Sequence, residues 1–315
     1  MSAGRVIAEQ LDVQQTYFFV TPAATSGPPT TGTFALGHEW VDSAGDRYIC
    51  TVAGTPGTWV RQARITDIIN TTPRGYIYEY RLTYNSASLV DIGAAGVTSL
   101  AVATDGASLI TLSGVQTINM ATVGANGRDA GSEAANTWYA VFVISGTSGV
   151  AGLLSTSPTA PTLPSGYTVF RRVGWVYNDA SSNIRQFSRR GNGPSRWVYW
   201  TVDRANLLAL SAGTATGWTT ISLSSFVPST ARDVWLQFGI LTVSANVRYF
   251  GVKETGSPQT FPNSMSVRSV SLKTTPSKEY DVLPARTNAS QQIDYAITNA
   301  SDSLDLAVFG WVDEL

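Results

Sequence analysis

The stretch that decides the fold class lies at residues 196–202 and reads RWVYWTV. Because successive side chains of a β-strand point to opposite faces of its sheet, Trp197 and Tyr199 would share one face. Val198 and Trp200 would share the other. One of these faces must carry its aromatic side chains away from the core of its own domain. We therefore expect that face to contact a ligand or another subunit.

Stretches of similar character recur along the chain, separated by turns rich in Gly, Ser and Asn. The clearest are residues 76–84, 137–144, 168–177, 233–240 and 304–312. Short strands at regular spacing are typical of β-sandwiches and jelly rolls. The sequence therefore predicts an all-β protein, in which a small N-terminal β-hairpin module and a short helix precede two β-sandwich or jelly-roll-like domains.

Turn-forming residues divide the predicted fold into five parts. We assign residues 1–31 to an N-terminal attachment arm, 32–61 to a small β-meander module, 62–74 to a short helix or neck linker, 75–191 to a first β-sandwich domain and 192–315 to a second, distal β-sandwich domain. The last boundary depends on the Gly-Asn-Gly-Pro sequence at residues 191–194, which interrupts regular structure. Three short strands are too few for an independent fold, so the meander needs partners.

Residues 62–70 form the best helical stretch in the sequence. Ile65, Ile68 and Ile69 fall at positions i, i+3 and i+4, which gives a single apolar stripe. A lone helix of this length is marginal in water. It either packs on a domain or joins identical helices in a neck around a symmetry axis. We expect the neck, and with it a homotrimer.

The charge of the chain excludes nucleic acid as an expected partner. Only 14% of the residues are charged and the formal net charge is -1, whereas phosphate binding needs a concentrated positive field. The two basic pairs, at residues 171–172 and 189–190, are small and far apart in the sequence. We expect them at solvated strand ends or in contacts between subunits.

The sequence also lacks the residues that most enzymes and metal sites require. One cysteine and one histidine cannot form a zinc site or an intrachain disulfide. Cys50 lies in residues 48–52, where apolar residues alternate along a predicted strand. We expect its thiol to be buried and unreactive there, and the alternative is a nucleophile paired with His38. We therefore predict no metal, no cofactor and no catalytic residue.

A polysaccharide-degrading spike is the enzymatic alternative, since glycoside hydrolysis needs two carboxylates across a cleft. The candidates are Asp129 with Glu133, or Asp179. All three lie in loops rich in Gly, Ser and Asn, where acidic residues commonly form turns. The sequence favours turn formation for these carboxylates.

The N-terminal residues lack an apolar core of signal-peptide length, and no apolar run approaches the length of a membrane span. We therefore expect a protein that does not insert into membranes. If it leaves the cell in which it is made, we expect release by lysis or on a particle.

Three stretches resemble tail-fibre, baseplate and head-fibre proteins of tailed bacteriophages. They are GHEWVD at 37–42 with YICTVAGTPGTW at 48–59, the region from NTWY at 136–139 through 152–167 to RRVGWV at 171–176, and SSFVPSTAR at 224–232. The resemblance implies a homotrimer whose N-terminal segment docks on other virion proteins. It also implies distal domains that face the host.

These observations together predict a structural phage fibre that recognises the host surface through a glycan or a protein. The alternative from a different class is a carbohydrate-binding adhesin or lectin. The candidate contact residues are Trp197, Tyr199, Trp218 and Tyr280. Burial between subunits remains the alternative for the first two, and local packing for the others.

Overall fold

The computed structural model describes residues 25–62, 76–191, 194–243, 248–260, 267–270 and 278–315. The chain forms two compact units, Met1–Thr71 and Thr72–Leu315. The protein is all-β, as predicted, and its sheets are mainly antiparallel. The predicted neck, with Ile65, Ile68 and Ile69, lies outside the described residues, as does most of the predicted N-terminal arm.

The first unit contains the predicted meander. Strands β1 (Glu39–Val41), β2 (Arg47–Val52) and β3 (Thr58–Arg61) form an antiparallel sheet in that order. The buried carboxylate of Asp42 accepts hydrogen bonds from the backbone N–H groups of Gly27, Ala44 and Asp46, and so fixes the hairpin loop. Cys50 is fully buried, as predicted, and its Sγ donates to the Val52 carbonyl at 3.1 Å.

The second unit begins with a four-stranded sheet. It contains β4 (Ile77–Tyr78), β5 (Leu82–Tyr84), β6 (Leu89–Val102) and β7 (Leu109–Asn119), and the long strand β6 pairs with the other three. The prediction of one continuous strand over residues 76–84 is wrong. Glu79 has a φ of +56°, a left-handed conformation that interrupts an extended chain between β4 and β5.

A second four-stranded sheet has both faces covered. Its strands are β8 (Gly127–Arg128), β9 (Thr137–Gly146), β10 (Gly149–Ser155) and β11 (Val169–Asn178), in the order β11-β9-β10-β8. Along β9, Val141 and Val143 belong to the main core, and Phe142 and Ile144 belong to a smaller cluster on the other face. The near-continuous apolar sequence of β9 follows from this double burial.

The remaining strands form two sheets that pack face to face. A six-stranded sheet contains β12 (Phe187–Arg190), β13 (Ser195–Trp200), β14 (Leu208–Gly213), β16 (Asp233–Leu241), β19 (Lys278–Arg286) and β21 (Ser303–Glu314). A further four-stranded sheet contains β15 (Thr219–Ser222), β17 (Arg248–Glu254), β18 (Val267–Val270) and β20 (Gln292–Ile297). A short 3₁₀ helix, Arg204–Leu207, precedes β14. Phe238 and Phe250 meet between the sheets, with their ring centroids 4.4 Å apart.

The structure differs from the prediction of separate sandwich domains at 75–191 and 192–315. Both ranges lie in one compact unit and contribute to one core cluster. Strand β12, before the predicted boundary, pairs with β13 after it. Trp138 of β9 also contacts Trp200 and Trp311, at centroid distances of 5.9 and 5.5 Å. The Gly-Asn-Gly-Pro sequence therefore separates two paired strands within one unit.

The expectation for the two basic pairs is wrong for one arginine of each pair. Arg190 is exposed, but the side chain of Arg189 is only 4% exposed and that of Arg172 is 14% exposed. Both lie beside the buried carboxylate of Asp313, at 3.6 and 2.9 Å. Strand alternation explains the difference within the second pair, because neighbouring side chains of β12 point to opposite faces.

The edge strand β19 carries two features that hinder the addition of another strand. Pro284 has no N–H group to donate. Two residues earlier, the N–H of Val282 donates to Oδ1 of Asp281 at 2.8 Å. Such edges resist intermolecular pairing, which favours the folded unit over aggregates.

Candidate functional site

The candidate site lies on the outer face of the six-stranded sheet. Val198 and Trp200 of β13 are buried in the core, and Trp197 on the opposite side is 39% exposed. Tyr199 lies on the same side as Trp197 and is half-buried. The predicted alternation is therefore present, and it leaves two aromatic side chains outside the core.

Two further aromatic residues join them from neighbouring strands. Trp197 contacts Trp235 of β16 at a centroid distance of 5.2 Å, and Tyr199 contacts Phe309 of β21 at 5.5 Å. The rings of Trp197 and Tyr199 are nearly parallel, at 17° and 6.3 Å. We call Trp197, Tyr199, Trp235 and Phe309 the aromatic face. Its members come from three adjacent strands of one sheet.

Gly310 allows β13 and β21 to lie close together beneath the aromatic face. It lies in β21, between β13 and β16, and pairs with both Tyr199 and Trp235. A Cβ at this position would lie 2.2 Å from the carbonyl oxygen of Val198 and 3.2 Å from the ring of Tyr199, which is inside van der Waals contact. Because Gly310 has no side chain, the ring of Tyr199 can pack over the backbone of β21.

A β-bulge in β21 places both Phe309 and Gly310 on the outer face. The register between β16 and β21 shifts between Trp235 and Leu236, which pair with Gly310 and Val308. Phe309 is the extra residue, and it is 41% exposed, whereas Val308 and Trp311 are buried. Bulges re-aim a side chain in this way, and they are frequent at functional sites.

Tyr280 lies on the same outer face but away from the aromatic face. It pairs with Gly239, whereas Pro284 of the same strand pairs with Trp235, so four residues, or about 13 Å, separate the two positions along β19. Tyr280 is 53% exposed and covers Gly239, where a Cβ would lie 2.8 Å from its ring. The Arg204 guanidinium lies 5.2 Å from the ring centroid of Tyr280.

Trp218 lies outside the six-stranded sheet that carries the other predicted contact residues. It precedes β15, and its Nε1 donates to the Gln259 carbonyl at 3.0 Å. The Lys253 ammonium lies 5.0 Å from its ring centroid and also donates to the Ser257 carbonyl at 2.6 Å. The structure therefore brings together Trp197 and Tyr199, and it places Trp218 and Tyr280 elsewhere.

Sequence reasoning missed Trp235 and Phe309. Trp235 could have been found, because Val234 and Leu236 on either side of it are apolar and buried, which assigns Trp235 to the outer face. Phe309 carries the same signal, because Leu304, Leu306 and Val308 alternate as apolar, buried residues and assign position 309 to the outer face. The alternation does not reveal the bulge, which places Gly310 on that face as well.

The three carboxylates considered for hydrolysis accept hydrogen bonds that fix loops. Asp129 accepts from the Thr162 N–H at 3.0 Å, and Glu133 accepts from the Asn178 side chain at 3.0 Å. Asp179 accepts from the backbone N–H groups of residues 181 and 183. These contacts agree with the turn-forming interpretation of the sequence.

Two further observations on the described ranges of residues concern metal sites and membrane-spanning helices. Among these residues, no group of three or more His, Cys, Asp or Glu side chains is arranged to hold a metal ion. Within the same ranges, no helix has both the length and the hydropathy that a membrane span requires.

No protein-family model matches this chain, and no curated protein matches it either.

Proposed function

We propose that this protein is a structural component of a virion, a fibre of a tailed bacteriophage that recognises the host surface. The phage-fibre stretches at 37–59, 136–176 and 224–232 support the virion assignment. The observation that carries host recognition is the aromatic face, an uncharged group of rings on the outside of a hydrogen-bonded sheet. Rigid aromatic side chains on a fixed backbone lose little conformational entropy on binding.

The proposed arrangement has an N-terminal attachment to the particle and a homotrimeric neck at Ile65, Ile68 and Ile69. The sandwich of the six-stranded sheet and its four-stranded partner would then be the distal display unit. A chain with only 14% charged residues fits this arrangement, because subunits that pack side by side bury neutral surface at less cost than charged surface.

The virion assignment is tested by locating the protein. Antibody raised against the chain is used to probe particles purified on a density gradient from lysates of cells that carry its gene. We expect the chain to co-sediment with intact particles and to stay bound after washing in high salt. Recovery only in the soluble fractions would overturn the assignment.

Host recognition is tested with labelled protein and intact bacterial cells. We expect Trp197→Ala with Tyr199→Ala to abolish cell binding by a folded protein. The matched control is Tyr249→Ala, which removes a side chain of similar exposure, 38%, from the other sheet. Equal binding by the double variant and the parent would remove the aromatic face as the contact surface.

The same variants distinguish a receptor contact from a contact between subunits. Light scattering of the parent should give a mass near three times the 33.6 kDa of one chain. If the double variant loses this assembly, the aromatic face belongs to an interface between subunits. A parent mass near one chain would instead overturn the trimer.

A carbohydrate-binding adhesin or lectin is the second candidate, and one observation favours it. Trp197 and Tyr199 present nearly parallel rings on one strand, and the flat apolar faces of sugars stack on such surfaces. Binding of neutral oligosaccharides, together with absence of the protein from particles, would favour this candidate over the fibre.

A further inference from the structure

The guanidinium of a buried arginine in β12, Arg189, makes no hydrogen bond within the described part of the chain, and its ion pair with Asp313 is long, at 3.6 Å. The Arg189 side chain is 4% exposed. Its Nε, Nη1 and Nη2 atoms are all buried, and none of them makes a hydrogen bond to a described residue. A guanidinium carries five N–H donors in a fixed plane. A buried donor without a partner is unfavourable, and a buried charge more so.

The charges around Arg189 do not balance. The nearest carboxylate oxygen is Oδ2 of Asp313, at 3.6 Å, while its Oδ1 accepts from Arg172 at 2.9 Å. Arg196 is fully buried and donates to the Tyr80 carbonyl. Glu79, also buried, forms an ion pair with Arg81.

Asp313 therefore lies among three buried or nearly buried arginines. Their guanidinium groups belong to residues 172, 189 and 196. Glu79 also acts on Arg196, and it forms an ion pair with Arg81. The cluster thus carries excess positive charge away from water, where electrostatic interactions are strong.

Gly174 leaves room for the Arg189 guanidinium. Gly174 follows a β-bulge in β11, and a Cβ at Gly174 would lie 3.0 Å from Nη1 of Arg189. The glycine therefore allows the guanidinium to lie against the strand. Burial and the neighbouring Arg196 lower the pKa of Arg189 to about 9. The group is still protonated at neutral pH and needs a counter-charge.

We propose that the Arg189 guanidinium binds a small monovalent inorganic anion, of which chloride is the probe. A halide accepts several N–H donors at once and adds a negative charge where the cluster carries excess positive charge. The side chain is too deeply buried for a polysaccharide or a peptide carboxylate to reach it. The bound ion stabilises the region where β11, β12 and β21 meet, and this site is independent of the proposed function.

The direct test is crystallographic. Crystals of the full chain are grown with sodium bromide in place of sodium chloride, and data are collected at the bromine absorption edge. We expect an anomalous peak within hydrogen-bonding distance of the Arg189 nitrogens. A non-anomalous water peak at that position, or no peak, would overturn the proposal.

The solution test uses two adjacent arginines as a matched pair. At constant ionic strength, we expect replacement of gluconate by chloride to raise the Tm of the parent with the logarithm of the chloride concentration above Kd, by about 5–10 °C at one hundred times Kd. Arg189→Met should lose this dependence, and Arg190→Met, which changes an exposed side chain, should keep it. Equal dependence in both variants contradicts the site. If Arg189→Met does not fold, the bromide experiment on the parent decides alone.

Discussion

The two sides of the six-stranded sheet carry aromatic clusters of similar size but different surroundings. On the inner side, Trp200 and Trp311 are buried and contact Trp138. On the outer side, the same strands contribute Trp197 and Phe309, which remain partly exposed. Strands β13 and β21 therefore supply both clusters, and the direction of each side chain decides which cluster it joins.

This comparison separates aromatic residues that hold the unit together from those free for other contacts. Trp138 and Trp200 also use their indole N–H groups, which donate to the carbonyls of Ser224 and Phe226 at 2.7 and 3.0 Å. Both acceptors lie in the loop after β15, so the two hydrogen bonds tie β9 and β13 to that loop. The outer rings contact mainly one another, so their removal leaves the main core intact. Exposed aromatic clusters of this kind mark interaction surfaces.

The largest expected effect is on the inner cluster. Trp311→Ala removes a fully buried side chain and should lower the free energy of unfolding by about 3–5 kcal/mol. Urea unfolding followed by circular dichroism measures this loss. A loss no larger than that of Trp197→Ala would erase the distinction between the two sides.

Asp313→Asn tests the buried charged groups on the inner side of the six-stranded sheet. Removing the carboxylate leaves Arg172 and Arg189 without their anionic neighbour, so we expect a loss of about 3 kcal/mol. The adjacent substitution Glu314→Gln changes an exposed side chain and should stay within about 0.5 kcal/mol. Thermal and urea unfolding of both variants provide the comparison, and similar losses would contradict the role of the buried carboxylate.

Gly310→Ala tests the packing that allows the aromatic face to form. The added Cβ would overlap the Val198 carbonyl oxygen, so β13 and β21 must move apart at a cost of about 1–3 kcal/mol. We expect reduced stability together with altered fluorescence of the outer tryptophans. An unchanged Tm would mean that the strands accommodate the methyl group.

Trp197→Ala should have a smaller effect on stability. It removes ring contacts with Tyr199 and Trp235, which contribute about 1 kcal/mol. The protein should remain folded, which makes the variant suitable for the cell-binding experiment. Trp197→Phe keeps an aromatic ring and serves as the conservative control. If both variants failed to fold, Trp197 would belong to the core and not to the aromatic face.

The smallest expected effect is at the edge beside the outer face. Asp281→Ala with Pro284→Thr should change the free energy of unfolding by only about 0.5 kcal/mol. The double variant exposes backbone N–H groups of β19 for pairing, so we expect concentration-dependent association in light scattering. Continued absence of association would show that other features protect this edge.

Much of the architecture could be predicted from local patterns. The meander at 32–61 and the strands at 137–144 and 304–312 are evident from local runs of apolar, β-branched and aromatic residues between turns, and the structure confirms them. The division at residue 191 could not be predicted correctly, because a turn sequence is the same whether it joins paired strands or separate domains. The break at Glu79 was also missed, because its left-handed conformation has no clear signal in an alternating sequence.

The sequence by itself determined the all-β class and the opposite directions of Trp197 and Trp200, since strand geometry fixes which neighbours share a face. Only the tertiary structure decided which face is covered, because burial depends on strands that are distant in sequence. It also brought Trp235 and Phe309 beside Trp197 and Tyr199, through the pairing of β21 with β13 and β16. For the same reason it placed Arg189 beside Asp313, more than one hundred residues away along the chain.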